Sequence, residues 1–256
     1  MRQDGFTATD GTPIAYYDWP GDADAPPVLL HHGFVADTAS NWVDTGVVAA
    51  LTAAGRRVVG MDARGHGASG KSGDPARYGE ATMARDLMGL IDELSAPAVH
   101  LVGYSMGAVV ALIAATRDAR ITRVVAGGVG SGVVEVGGVD TRAGSAELIT
   151  AALTAPSLAE APPATRPFRA LADALGSDLP SLAAQASALH RKPLDLAGVR
   201  VPTLVLAGVD DPLATRPGVL AEAVAQGALR VVAGDHLTAT RDPQFTAAIV
   251  DFLTVD

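Results

Sequence analysis

The chain has 256 residues, a formal net charge of −9 and no cysteine. The acidic balance argues against nucleic acid or an anionic membrane surface as a binding partner, because both are negatively charged. The lack of cysteine excludes disulfides, thiolate metal sites and cysteine nucleophiles. Residues 1–5 are polar, unlike a signal peptide, and no apolar stretch reaches the roughly 18 residues that span a bilayer, so we expect a cytoplasmic protein.

The first predicted elements in chain order are short strands. Residues 5–9 and 13–19 flank Asp10-Gly11, a dipeptide typical of a hairpin turn. Residues 26–30 are an apolar run bounded by proline and glycine, which predicts a strand covered on both faces. Helices are predicted over 42–54 and 79–94 from apolar residues at helical spacing, with a strand over 57–61 between them.

Strands and helices go on alternating in the rest of the chain, except in one block. The predicted elements are strands at 99–102, 123–126, 201–206 and 229–232, and helices at 106–116, 217–225 and 243–253. Residues 131–196 instead carry several prolines and short helical stretches without a clear strand. Such alternation predicts a parallel sheet with helices on both faces. We predict one α/β domain over 1–256, with a helical cap inserted at about 131–196.

A serine lies on the predicted turn between strand 99–102 and helix 106–116. Residues 103–107 read Gly-Tyr-Ser-Met-Gly. A sharp turn from strand to helix lifts a serine hydroxyl above the sheet edge, and glycines two residues away on both sides keep Cβ atoms clear of it. The pentapeptide alone occurs often by chance, and a serine after a strand can simply cap a helix. The strand before it and the helix after it favour Ser105 as a nucleophile.

Four motifs together resemble the α/β-hydrolase superfamily, most closely its compact, capped esterase-like branch. They are His-Gly-Phe at 32–34, Asp-Ala-Arg-Gly-His-Gly-Ala-Ser at 62–69, the serine turn, and a late aspartate and histidine. The resemblance covers about residues 12–253. It implies a mostly parallel twisted sheet with helices on both faces and a small helical cap. It also implies an oxyanion hole formed by the backbone N–H groups of Phe34 and Met106.

The resemblance further implies the base and the acid that accompany the serine. Of the six histidines, His236 follows the last strand and matches the position of the family's base. The acid follows strand 201–206, where two aspartates are adjacent. The family's spacing from Gly208 selects Asp211, with Asp210 as the alternative. The glycine-rich stretch 62–69 is expected to be structural, because it lacks the lysine and helix of a phosphate-binding loop.

The predicted cap holds one aromatic residue, Phe168, among leucines and alanines, which favours an aliphatic pocket. We interpret its basic residues as a solvated face rather than an anion-binding site. These residues are Arg166, Arg169, His190, Arg191 and Lys192.

The sequence therefore predicts a serine hydrolase that cleaves a carboxylic ester, lactone or thioester through an acyl-serine intermediate. Cofactor-free perhydrolysis, haloperoxidase-like chemistry and C–C bond hydrolysis are alternatives on the same residues, and a non-catalytic ligand-binding member is a further one. Epoxide hydrolases and dehalogenases of the family use aspartate where Ser105 stands. We expect no metal and no organic cofactor, because the histidines are scattered and no dinucleotide fingerprint follows the first parallel strand. The expected partner is a small-molecule substrate, and the oligomeric state stays open.

Overall fold

The computed structural model describes residues 1–140, 142 and 145–254. The strands are β1 (Arg2–Thr7), β2 (Pro13–Trp19), β3 (Val28–His31), β4 (Val58–Met61), β5 (Val99–Tyr104), β6 (Ile121–Gly127), β7 (Thr203–Gly208) and β8 (Gly227–Val232). The α-helices are α1 (Val47–Ala53), α2 (Glu80–Glu93), α3 (Met106–Ala115), α4 (Gly132–Glu135), α5 (Ala146–Thr154), α6 (Arg166–Ala174), α7 (Leu179–Ser187), α8 (Pro217–Ala223) and α9 (Pro243–Thr254). Short 3-10 turns cover Pro75–Arg77, Pro163–Thr165, Leu196–Gly198 and Ala239–Arg241.

The eight strands form one sheet in the order β1-β2-β4-β3-β5-β6-β7-β8. β2 pairs antiparallel with β1 and with β4, and every later pairing is parallel. Parallel neighbours need a crossover connection, and the helices between the strands supply it. The predicted α/β-hydrolase fold, with a mostly parallel sheet, is confirmed.

Helices cover both faces of the sheet. Leu29 and Leu30 are neighbours on β3, yet Leu29 packs with the buried side chains of α2 and α3, and Leu30 packs with those of α1 and α9. Successive side chains of a strand point to opposite faces, so both faces bury apolar surface. This explains why residues 28–30 are all apolar instead of alternating with polar residues.

The helix predicted over 42–54 is broken into two pieces. A π-helical turn covers Ala39–Val43, and α1 begins only at Val47. Gly46 lies between them with φ of 83°, in the left-handed region that interrupts a helix. The apolar spacing continues across this break because both pieces pack against the same face of the sheet.

The segment between β6 and β7 contains α4 to α7, and in its described residues no strand is present. Its apolar side chains form a small core of their own, which includes Ile149, Leu153, Ala172 and Leu182. Val35, from the loop after β3, belongs to the same cluster and joins it to the sheet edge. Over the part of the chain that is described, no helix is both long enough and apolar enough to cross a membrane.

Candidate active site

Ser105 occupies the turn between β5 and α3 with a backbone that few residues adopt. Its φ is 55° and its ψ is −116°, which a non-glycine residue holds only where the surroundings enforce it. The chain passes very close to itself here. A Cβ atom on Gly103 would lie 2.2 Å from the carbonyl oxygen of Gly107, and one on Gly107 would lie 2.0 Å from that of His31. Both glycines are therefore required by this turn.

Three side chains that are distant in the sequence meet above this turn. His236 Nε2 lies 2.9 Å from Ser105 Oγ, and His236 Nδ1 lies 2.8 Å from Asp211 Oδ2. With the proton on Nδ1, the imidazole donates to the carboxylate and accepts from the serine hydroxyl. The side chain of Asp211 is fully buried and that of His236 is 11% exposed. The arrangement can move a proton from the serine to the histidine.

The two adjacent aspartates after β7 have different surroundings. The carboxylate of Asp211 accepts hydrogen bonds from His236 and from the backbone N–H of Leu213, the latter at 2.8 Å. Asp210 is exposed, and its backbone N–H donates to the carbonyl of Gly234. The structure thus brings Asp211, and not Asp210, to His236.

The loop after β3 passes beside the serine. A Cβ atom on Gly33 would lie 3.4 Å from the Cβ of Ser105. The backbone N–H groups of Phe34 and Met106 donate to no other described residue, and both residues line the same cavity as Ser105. Two free N–H donors at a helix start and a neighbouring loop are suited to stabilise negative charge on a ligand oxygen.

Hydrogen bonds with neighbouring side chains hold this loop in place. The N–H of Gly33 donates to Asn41 Oδ1 at 2.8 Å, and the N–H of Val35 donates to His66 Nε2 at 3.2 Å. His32 Nε2 accepts from the N–H of Ala63 at 2.9 Å. The two histidines belong to the motifs at 32–34 and 62–69, which were the available signal for them, whereas nothing in the sequence pointed to Asn41.

The buried side chains of His32 and His66 accept these hydrogen bonds because they are neutral. Burial lowers the pKa of His66 to about 3, and it also lowers the pKa of His32. A neutral imidazole has one nitrogen free to accept a hydrogen bond, which an imidazolium lacks.

Arg64 is structural, as predicted for its motif. It forms a buried ion pair with Asp86 and a second pair with Asp10.

Ser105 lies where two cavities meet, and Phe34, Phe168 and His236 line both of them. One cavity has a volume of about 220 Å³ and is lined mainly by apolar side chains, including Val109, Ile149 and Leu213. The other has a volume of about 340 Å³, and its wall includes Asn41 and Arg241. A substrate whose reacting group lies at Ser105 can thus place an apolar part in one cavity and a polar part in the other.

The basic residues of the 131–196 segment lie outside both cavities. Arg169 pairs with Asp173. It also donates to two backbone carbonyls, that of Ala152 in α5 and that of Ala155 directly after α5. Arg166 donates to the carbonyls of Ala159 and Ala161. Elsewhere, no three His, Asp or Glu side chains among the described residues come together to form a metal site.

Ser105, His236 and Asp211 thus lie together at the carboxyl edge of a mostly parallel sheet. A family model described as the alpha/beta hydrolase fold matches residues 26–131. The predicted resemblance to the α/β-hydrolase superfamily is confirmed by this match and by the similarity to solved structures.

Two solved structures resemble nearly the whole chain. A hydrolase from Pseudomonas aeruginosa PA01 matches with a TM-score of 0.81 and 26% identity over 99% of both chains. The enol-lactonase from Burkholderia xenovorans LB400 matches with a TM-score of 0.73 and 27% identity, over 98% of this chain and all of the other. The similarity therefore extends through the segment between β6 and β7.

Curated relatives match a shorter part. The sn-1-specific diacylglycerol lipase ABHD11 of Mus musculus is 37% identical over 135 residues, which are 52% of this chain. The chain spans only 40% of the length of that relative. Other matches are named as epoxide hydrolases. The names support a hydrolase as the general class of enzyme and differ in the bond that is cleaved.

Proposed function

We propose that the protein is a serine hydrolase that cleaves a carboxylic ester, lactone or thioester through an acyl-serine intermediate. The observation that carries the proposal is the position of His236, whose two ring nitrogens lie within 2.9 Å of Ser105 Oγ and Asp211 Oδ2. This is the arrangement that a histidine needs in order to take a proton from a serine while a carboxylate stabilises the resulting imidazolium.

In the first half of the reaction, Ser105 Oγ attacks the substrate carbonyl carbon, and its proton passes to His236 Nε2. The carbonyl oxygen becomes an oxyanion, which accepts hydrogen bonds from the N–H groups of Phe34 and Met106. One such donor is worth about 2.7–4 kcal/mol in the transition state. When the intermediate collapses, His236 returns the proton to the leaving alcohol or thiol, and the acyl group stays on Ser105.

The second half repeats these steps with water. His236 takes a proton from a water molecule, and the oxygen attacks the acyl carbon. The same two N–H groups stabilise the second oxyanion. Collapse then releases the carboxylic acid and returns the proton to Ser105 Oγ. Asp211 stays ionised throughout and keeps the proton on the Nδ1 side of the ring.

Epoxide hydrolysis, which the names of some relatives suggest, does not suit a serine at position 105. An epoxide opened by serine gives an ether, which has no carbonyl carbon for water to attack. An aspartate nucleophile gives an ester, which water can cleave. The serine therefore favours substrates with a carbonyl group, in agreement with the lipase and lactonase names among the similar proteins.

We further infer a small-molecule substrate that is enclosed by a helical cap at about 131–196, inserted in one domain. Phe168 of α6 lines both cavities at Ser105, so this segment contributes to the walls on the substrate side. The cytoplasmic location stays a prediction from the sequence.

A fluorophosphonate probe tests the proposal, because it labels only a serine that is activated as a nucleophile. We expect one label, on Ser105, in the wild-type protein and none in Ser105→Ala or His236→Ala. Turnover of p-nitrophenyl esters should fall about 10⁴- to 10⁶-fold in both variants. Folded wild-type protein that takes no label and hydrolyses no ester would overturn the proposal.

A further inference from the structure

A carboxylic acid lies in the wall of the apolar cavity at Ser105. It belongs to Glu80, the first residue of α2, which is only 3% exposed. Its neighbours in the wall include Val109, Ile149 and Leu189. A carboxyl group loses its hydration in such surroundings, which is costly unless other groups bind to it. The proposed mechanism leaves this group without a role.

Two backbone N–H groups bind this carboxyl group. Oε2 accepts a hydrogen bond from the backbone N–H of His190 at 2.7 Å, and the backbone N–H of Glu80 itself is a further donor. Burial raises the pKa of Glu80. A carboxylate has about four acceptor positions, so its capacity is not filled by these two donors. No lysine or arginine is present among the described residues that line the cavity.

The geometry of α3 connects Ser105 to this end of the cavity. Ser105, Met106 and Val109 all line it, and Val109 is one helical turn, about 6 Å, beyond Ser105. In the proposed mechanism the N–H of Met106 holds the carbonyl oxygen, while its side chain lines this cavity. A chain attached to that carbonyl carbon therefore extends along α3, among apolar side chains, toward the wall that contains Glu80.

We propose that Glu80 is a specificity-determining residue that binds a hydrogen-bond donor, an amino or hydroxyl group, at the far end of the substrate's acyl chain. This inference rests on the proposed serine hydrolase function, since it concerns the acyl group that Ser105 receives. The chemistry at the two ends of the cavity then defines the substrate class: a carbonyl at one end, an aliphatic chain, and a donor at the other end.

A purely structural role for Glu80 makes a different prediction. In that role the carboxylate only fixes the loop after α7 to the start of α2, through the N–H of His190. Glu80→Gln keeps an oxygen that can accept this N–H, and any residual disturbance of the cavity would affect all substrates alike. The ratio of kcat/KM between substrates with different chain ends therefore separates the two roles.

The test uses p-nitrophenyl esters of linear acyl chains with roughly six to eight carbons, long enough to pass one helical turn. The chains end in a methyl, hydroxyl or amino group. We expect the wild-type protein to prefer a donor-ended chain over the methyl-ended chain by about tenfold or more, as a hydrogen bond to a buried charged group gives. A comparison of the hydroxyl-ended with the amino-ended esters shows which donor is bound.

Two variants and a control complete the experiment. Glu80→Gln should reduce a preference for the amino group at least tenfold and preserve most of a preference for the hydroxyl group. Glu80→Leu should reverse the preference in favour of the methyl-ended chain. Glu93→Gln changes an exposed glutamate at the other end of α2 and should leave every ratio as in the wild type.

Fluorophosphonate labelling of Ser105 in each protein separates the possible failures. A labelled wild-type protein with equal kcat/KM for the three chain ends would overturn the role of Glu80 and leave the hydrolase function standing. A preference that persists in Glu80→Gln and Glu80→Leu alike would also overturn it. A wild-type protein without label and without turnover would overturn the hydrolase function, and the role of Glu80 with it.

Discussion

The hydroxyl of Tyr104 donates a hydrogen bond to the backbone carbonyl of His236 at 2.7 Å, and the two rings lie 5.3 Å apart. Tyr104 is the residue before Ser105, so the strand that carries the serine also holds the loop that carries the histidine. We infer that this bond positions the imidazole without contact with the substrate.

Loss of the Tyr104 hydroxyl should therefore reduce kcat. For Tyr104→Phe we expect kcat on a p-nitrophenyl ester to fall about two- to tenfold with little change in KM, because one hydrogen bond contributes about 0.5–1.5 kcal/mol. Tyr17→Phe is the matched control, since it removes a hydroxyl bonded to Asp62 at 3.3 Å. Equal kcat values for the two variants would contradict a positioning role.

The two adjacent aspartates offer a matched pair of variants. Asp211→Asn should lower kcat by about 10⁴-fold, because an amide at this site favours the wrong tautomer of His236. Asp210→Asn should leave kcat nearly unchanged, since Asp210 is exposed. Steady-state kinetics on one ester suffices to compare them. A greater loss in Asp210→Asn would show that the acid has been assigned to the wrong residue.

A methyl group on Gly107 should not be accommodated by the turn. Its Cβ would lie 2.0 Å from the carbonyl oxygen of His31, so the backbone must shift. We expect Gly107→Ala to lower the free energy of unfolding by about 3 kcal/mol or more. Gly73→Ala, where no atom lies within 4 Å of the added Cβ, should be near neutral. Urea denaturation measures both, and similar midpoints would refute the steric argument.

The two partners of Arg64 should differ in their importance for stability. Arg64 Nε lies 2.6 Å from Asp86 Oδ2, and both side chains are 3% exposed. Asp86→Asn leaves a buried guanidinium with reduced compensation and should cost about 3–5 kcal/mol. Asp10 is 39% exposed, so Asp10→Asn should cost much less. Denaturant unfolding compares the two, and an equal cost would show that burial does not set the difference.

The stability should fall as the pH decreases below 6.5. Burial lowers the pKa of His31 and of His66 from 6.5 to about 3, so both stay neutral in the folded protein. In the unfolded chain both histidines take up a proton below pH 6.5. Their contribution to the free energy of unfolding is therefore fully present above pH 6.5 and is lost as the pH falls toward 3. Each such histidine contributes a slope of up to about 1.4 kcal/mol per pH unit.

Urea unfolding at several pH values between 7 and 4 measures this slope. His66→Gln removes one of the titrating groups and should reduce it. A free energy of unfolding that does not change between pH 7 and 5 would show that these histidines are not buried in their neutral form.

The sequence was sufficient for the fold because the relevant signals are local. Apolar runs, helical spacing and glycines at turns gave the alternation of strands and helices from which a parallel sheet follows. Ser105 could be proposed for the same reason, since its strand, turn and helix are contiguous. The break at Gly46 was missed because a glycine within an apolar helical pattern does not reveal its φ.

The surroundings of the site depend on contacts between distant residues. Asp211 was preferred to Asp210 only by the spacing of the resembling family, and it is the hydrogen bond from His236 that distinguishes them in the structure. Asn41 and Glu80 have no motif around them. Their positions follow from how the loop after β3 and the start of α2 pack near Ser105, which periodicity in one chain does not encode.

The segment between β6 and β7 leaves the sheet at one strand and returns at the other, and these two strands are direct neighbours. The pairing of β6 with β7 holds the two ends of the segment close together. A segment of different length inserted there therefore costs little additional chain entropy. Ser105, His236 and Asp211 all lie outside this segment. We therefore expect that exchanging this segment for the corresponding part of another protein changes which substrates are bound and leaves these three residues in place.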